Sequence, residues 1–137
     1  MTLPASRTDI VRRYFEEADA GRVPADLFAE DFEFYFPKFG VGRGMAEFGE
    51  LAAGMLSALA AFGHCRDELT FLEAGRSVVV EGATQGMDKA GVAWRGGTTP
   101  GGRFCSIFDF DRQGLISRMF IYADPDYAGQ DTERFYW

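Results

Sequence analysis

Between Arg103 and Asp126 the chain reads RFCSIFDFDRQGLISRMFIYADPD, two apolar-rich limbs joined around Asp111, Arg112, Gln113 and Gly114. Side chains along a strand alternate between two faces. The first limb therefore puts Phe104, Ser106, Phe108 and Phe110 on one side and Cys105, Ile107 and Asp109 on the other. An aromatic row of this kind needs another layer packed against it, so the hairpin cannot stand alone. The same alternation on the second limb groups Ile116, Arg118, Phe120 and Tyr122, apart from Ser117, Met119 and Ile121. Two polar residues, Ser106 and Arg118, then sit in otherwise apolar rows.

The rest of the chain supplies the packing layers. Ser6 or Thr8 can cap a helix whose apolar residues Ile10, Val11, Tyr14, Phe15 and Ala18 recur at helical spacing as far as Gly21, with Arg12, Arg13, Glu16 and Glu17 facing solvent. Pro24 suits the first turn of a short second helix through Leu27 and Phe28. In DFEFYFPKFG, Phe32, Phe34 and Phe36 alternate with Glu33 and Tyr35, which predicts a half-buried strand stopped by Pro37. The glycines of GVGRG turn the chain into a third helix, about Met45 to Phe62, with Gly63 as its C-cap. Strands follow over Glu68 to Glu73, Ser77 to Gly86 and Val92 to Arg95, and the Gly-rich stretch from Gly96 to Gly102 reads as a flexible hairpin tip. Helices followed by a run of strands give an α+β architecture, with helices against one face of a mostly antiparallel, curved sheet.

Composition narrows the function classes. At 137 residues the chain fits one domain, 1–137. Its 14 phenylalanines exceed what a minimal core requires, which suits a large cavity or an oligomer interface as well as a filled core. A net charge of -7 argues against a nucleic-acid partner, because affinity for phosphate backbones comes largely from Lys and Arg. No apolar run reaches the roughly 18 residues a membrane span needs, and MTLPASRTD lacks the layout of a signal peptide, so no membrane partner and a cytoplasmic location are expected. Cys65 and Cys105 are expected as reduced thiols, and one histidine with two cysteines is too few for a zinc site of the usual kind, so no metal is expected. The terminal Phe135, Tyr136 and Trp137 are expected to dock on a surface or a partner.

Four stretches together, IVRRYFEEADAG, LFAEDFEFYFP, the Gly-rich turn into a helix, and FCSIFDFDRQGLISRMFIYADPDYAG, resemble the nuclear transport factor 2-like superfamily, in particular its SnoaL-like branch of polyketide cyclase-like and ketosteroid isomerase-like proteins. The resemblance runs from about Ile10 to Tyr127. It implies a cone-shaped fold in which the curved sheet and about three N-terminal helices enclose a pocket, and a homodimer joined through the sheet. It also implies a hydrophobic small-molecule ligand and chemistry without a cofactor. Tyr14 stands where the isomerases carry an oxyanion-donating tyrosine. Their general base is an Asp just before a proline at the end of the first strand, where this chain has Phe36 before Pro37. Ser106 falls near their second acid and near the catalytic Asp of the cyclases. Two functions follow from the resemblance: a cofactor-independent isomerase, cyclase or hydratase acting on a hydrophobic carbonyl compound, or a non-catalytic binding or accessory domain that has lost the family's base.

The expected pocket wall comprises Phe34, Phe36, Ser106, Phe108, Phe120 and Tyr122, with Trp94 closing the mouth or packing the hairpin. Tyr14 and Arg118 would stabilise an oxyanion, and His64 or Glu81 would move a proton. Each has a structural counterpart reading. Tyr14 can be a core aromatic, and Arg118 can pair with Glu81, meet a ligand anion, or lie solvated at the sheet edge. His64 directly follows the expected helix C-terminus, where a cation is favoured. Asp124 and Asp126 read as a turn around Pro125 or as a carboxylate pair.

Overall fold

The first helix, α1 (Arg7–Asp19), starts where the Ser6 hydroxyl accepts a hydrogen bond from the Asp9 N–H at 3.0 Å. Thr8 instead donates its hydroxyl to Glu73 at 2.6 Å, tying the helix start to the sheet. The computed structural model describes residues 5–131, so the expected docking of Phe135, Tyr136 and Trp137 lies outside the described residues. After α1 the expected second helix is only a 3-10 turn, Ala25–Leu27. Phe28 already begins strand β1 (Phe28–Phe36), whose Phe28, Phe32, Phe34 and Phe36 are all buried. Strand β2 (Gly40–Arg43) folds back on it, and Gly42 is required there because a side chain would run into the Phe34 ring.

Helix α2 (Gly44–Leu56) corrects the expected Met45–Phe62 helix. The Ser57 hydroxyl donates to the Gly54 carbonyl at 2.7 Å, and Leu59–His64 form strand β3 instead of two more helical turns. The run SALAAFGH carries no local helix breaker before Gly63. Tertiary pairing of β3 with a long neighbouring strand overrides the helical preference, and Gly49 and Gly54 weaken the helix from within. The described chain thus has two α-helices rather than three.

The remaining strands are β4 (Thr70–Ala74), β5 (Ser77–Asp88), β6 (Ala93–Arg95), β7 (Arg103–Phe110) and β8 (Ile116–Ala123). They form one curved sheet in the order β2-β1-β8-β7-β5-β3, with β4 and β6 also on β5. Among the described strands only β1 and β8 run parallel. Strand β5 is the spine, holding β4 and then β3 along one edge and β7 and then β6 along the other. The Gly-rich stretch is not a free tip. It makes two 3-10 turns, Gly96–Thr98 and Pro100–Gly102, and the second is buried, its Gly101 N–H donating to the Asp126 carbonyl at 3.0 Å.

One irregularity decides which side chains face inward. In the β7–β8 ladder Asp109 opposes Arg118, but Phe110 opposes Ile116, so Ser117 is an extra residue on β8. A bulge of this kind reverses the alternation beyond it. Ile116 is buried on the inner face, and from there Met119, Ile121 and Ala123 point inward while Arg118, Phe120 and Tyr122 point outward. Both helices pack on the inner face, where Val11, Phe15, Phe48 and Leu51 meet Phe34, Val78, Val80, Phe108 and Met119 in one core. Cys65 and Cys105 are free thiols. No helix among the described residues is long and apolar enough to cross a membrane.

Candidate functional site

The buried stripe of α1 repeats every four residues, Val11 then Phe15, and the next position in that row is Asp19, the last residue of the helix. Its side chain is only 12% exposed. A carboxylate placed there needs partners, and β3 supplies them. The Nδ1 of His64 lies 2.7 Å from Asp19 Oδ1, and the His64 backbone N–H lies 3.1 and 3.2 Å from the two carboxylate oxygens. The Arg66 Nε sits 3.3 Å from Oδ2. A carboxylate accepts and cannot donate, so Nδ1 carries a proton, and in the neutral ring the lone pair is then on Nε2. The ring is held edge-on by Phe15, Phe62 and Phe104, with centroids 4.7, 5.2 and 5.1 Å away.

This pair borders a cavity of about 280 Å³ between the two helices and the inner face of the sheet. Most of its wall is apolar, with Phe36, Phe48, Leu51, Met55, Phe62 and Ile121 among the contributors. Five polar side chains besides the pair reach it or its rim: Tyr14, Ser106, Thr84, Arg22 and Tyr127. Thr84 is committed, since its hydroxyl accepts from Trp94 Nε1 at 2.9 Å and donates to the Gly101 carbonyl at 2.7 Å. Arg22 is paired with Glu17 at 2.6 Å. The Tyr14 and Ser106 hydroxyls make no hydrogen bond with any described residue. Burial pushes the Tyr14 phenol well above its ordinary value and the nearby Asp19 charge adds to it, so Tyr14 is a neutral donor. A wider recess of about 940 Å³ lies next to the cavity and shares Phe36, Leu51, Met55 and Tyr127 with it. Tyr127 is the partition, stacked on Trp94 at 5.1 Å with its hydroxyl 3.5 Å from Met55 Sδ.

An apolar cavity between helices and a curved sheet, with a histidine, a tyrosine and a serine turned toward it, can be compared with known proteins. The profile of the SnoaL-like domain family matches residues 11–119. The chain belongs to the SnoaL-like family. No curated protein sequence matches it. Solved structures share the SnoaL-like chain's fold at low identity. An NTF2-like protein of unknown function from Burkholderia pseudomallei is 17% identical, with 89% of this chain and 93% of that one covered and a TM-score of 0.75. A candidate polyketide cyclase from Pseudomonas putida is 18% identical over 92% and 97% of the two chains, at a TM-score of 0.71. TerC, co-crystallised with polyporic acid, is 18% identical over 86% and 91%, at 0.70.

Of the residues singled out in the sequence, Tyr14, Phe36, His64 and Ser106 come together around the SnoaL-like cavity. His64 does so for a different reason from the one expected: it ends β3 and meets Asp19, rather than following a helix C-terminus. Phe34 and Phe108 stand one layer back, Phe34 edge-on to Phe48 at 5.3 Å and Phe108 edge-on to Tyr14 at 5.4 Å. Trp94 is buried behind the wall as the partner of Thr84 and Tyr127.

Arg118, Phe120, Tyr122 and Glu81 are corrections. The Ser117 bulge turns the first three onto the outer face, where Arg118 pairs with Asp109 at 3.1 Å and its guanidinium lies 3.6 Å over the Phe120 ring. Glu81 is exposed on that same face, opposite Cys105 and Thr70 in the ladders. Asp124 and Asp126 build a turn, Asp124 accepting from the Asp126 N–H at 2.8 Å and Asp126 from the Gln130 and Asp131 N–H groups at 2.7 and 2.9 Å. The residue missed was Asp19. Its signal was present, a carboxylate in step with the buried Val11 and Phe15.

Proposed function

We propose that this SnoaL-like chain is a cofactor-independent enzyme acting on a hydrophobic carbonyl compound, with His64 as general base and Tyr14 as the donor to the developing oxyanion. The observation that carries this reading is the 2.7 Å contact of His64 Nδ1 with Asp19 at the wall of an apolar cavity. Imidazole is the side chain whose ordinary titration lies nearest neutral pH, and a carboxylate on Nδ1 orients it and stabilises the cation formed when Nε2 takes a proton. In the step envisaged, a C–H bond next to the carbonyl breaks, the proton goes to Nε2, and the electron pair moves to the carbonyl oxygen. The Tyr14 hydroxyl donates a hydrogen bond to that oxygen, with Ser106 as a second donor. Isomerisation, cyclisation and dehydration share this proton transfer, and hydration runs it in reverse. The isomerase base expected before Pro37 is absent, and His64 supplies a base from another wall.

The cavity volume suits a bicyclic ring system, and its aromatic lining suits an aromatic one. The neighbour crystallised with polyporic acid supports a small organic ligand for this fold. We infer as well that the chain, read as one domain, forms a homodimer through the outer face of its sheet. Tyr35, Phe120 and Tyr122 stack there with centroids 5.5 and 5.6 Å from Tyr35, and Tyr122 is 45% exposed. Thermal shift with a panel of bicyclic aromatic ketones tests the ligand class. Ketones should raise the melting temperature of the wild type, and Ala123→Phe, which fills the cavity, should remove the shift. If no ketone stabilises the wild type, the ligand class is wrong.

A further inference from the structure

The Asp19 carboxylate has a second ionic partner that the proton-transfer reading does not use. Arg66 opens the 3-10 turn Arg66–Glu68 two residues after His64, and this turn brings its guanidinium back over the end of α1. The two carboxylate oxygens are thereby divided, Oδ1 facing His64 Nδ1 at 2.7 Å and Oδ2 facing Arg66 Nε at 3.3 Å. We infer that Arg66 is a positioning residue that fixes the rotamer of Asp19 and through it the tautomer of His64. This rests on the reading of His64 as the base.

The argument is one of degrees of freedom. The terminal torsion of an aspartate is broad and roughly two-fold, so a carboxylate held on one oxygen can swing away from its partner. The His64 backbone N–H lies almost equally far from both oxygens, at 3.1 and 3.2 Å, and does not choose between them. Arg66 does choose. Its guanidinium is planar and always charged, and it pairs with Oδ2 from the solvent side, being about half exposed where Asp19 is nearly buried. No other described cation competes for the carboxylate at this distance, since Arg22 is taken by Glu17 and Arg95 by Glu68. Without Arg66 the carboxylate still meets the imidazole, but it spends part of its time turned away, and the proton then moves to Nε2. A histidine with Nε2 protonated cannot accept from a substrate.

The chain has a single histidine, so its ring nitrogens can be read without overlap. Full-length protein labelled with 15N-histidine would be examined by two-bond 15N–1H correlation on the neutral imidazole. The wild type should show predominantly the Nδ1–H form. In Arg66→Met the ratio of Nδ1–H to Nε2–H should fall by about two- to fivefold, the range expected from losing a half-exposed ion pair. Arg66→Lys should restore part of the ratio, and Asp19→Ala should abolish the preference. An unchanged ratio in Arg66→Met beside a lost preference in Asp19→Ala overturns the role of Arg66 and leaves the dyad standing. An unchanged ratio in Asp19→Ala overturns both.

Discussion

Tyr14 shows how a single residue carries both structure and chemistry. Its ring is wedged edge-on between Phe15, Phe28 and Phe108, at 5.2, 5.8 and 5.4 Å, and the residue lines the cavity. Because burial raises its phenol above the unfolded value, the folded state resists losing that proton. Tyr127 is raised in the same way, first by burial and then by Asp124. For an acid with a raised folded value, the unfolded chain loses its proton first as pH rises. Stability is then intact below about pH 10 and falls above it, by up to about 1.4 kcal/mol per pH unit for each such group. Urea midpoints should therefore drop from pH 10 upward in the wild type, and Tyr14→Phe should flatten part of that drop. An equally steep fall in Tyr14→Phe would mean that the phenol is solvated. The same burial was only half legible in the sequence: the helical row through Val11 and Phe15 announced an inner face, but nothing local to the helix says what a carboxylate at its next step would meet. Its partner lies 45 residues away, at the end of a strand whose residues up to Phe62 read as helix, and no local pattern links the two.

At the scale of elements, the β7–β8 hairpin was recognisable, and the inward row Phe104, Ser106, Phe108 and Phe110 is as its alternation demands. The partner limb was not, because a bulge leaves no mark in a period-two pattern. Ser117 donates its hydroxyl to the Asp109 carbonyl at 3.2 Å, a contact any small polar residue could make. The bulge has a direct consequence for deletions. Without Ser117 the sequence Ile116, Arg118, Met119, Phe120 alternates regularly and keeps every inward residue inward. Deleting Ser117 should thus give a folded protein with the wild-type near-UV circular dichroism and a melting temperature lower by about 5 °C, a loss near 1 kcal/mol. Deleting Phe120 removes a residue from the regular part of the strand, forces one half onto the wrong face, and should abolish cooperative unfolding. If the Ser117 deletion unfolds and the Phe120 deletion does not, the register is wrong. The end of α2 was hidden for a similar reason, since pairing of β3 with β5 is a long-range event that the apolar run LSALAAF does not announce.

For the whole molecule, the curved sheet separates two aromatic surfaces. The inner one surrounds the dyad, and the outer one, Tyr35, Phe120 and Tyr122 with the Arg118–Asp109 pair beside them, awaits a partner in the homodimer we infer. Tyr122→Arg would put like charges across a two-fold interface and should convert a dimer to a monomer in sedimentation at micromolar concentration, without changing the far-UV spectrum. A wild type that sediments as a monomer would refute the dimer. The central claim concerns the inner surface: that His64, oriented by Asp19, takes a proton from carbon next to a carbonyl. The most direct measurement follows the exchange of the α-hydrogens of 2-tetralone for deuterium in D₂O, read by proton NMR with and without the protein. The wild type should accelerate exchange over buffer, His64→Gln should return it to the buffer rate, and Asp19→Ala and Tyr14→Phe should fall between, Tyr14→Phe about 100-fold or more below wild type. If 2-tetralone raises the wild type's melting temperature and its α-hydrogens still exchange at the buffer rate, the cavity binds a ketone without acting as a base toward it, and the proposed chemistry is wrong.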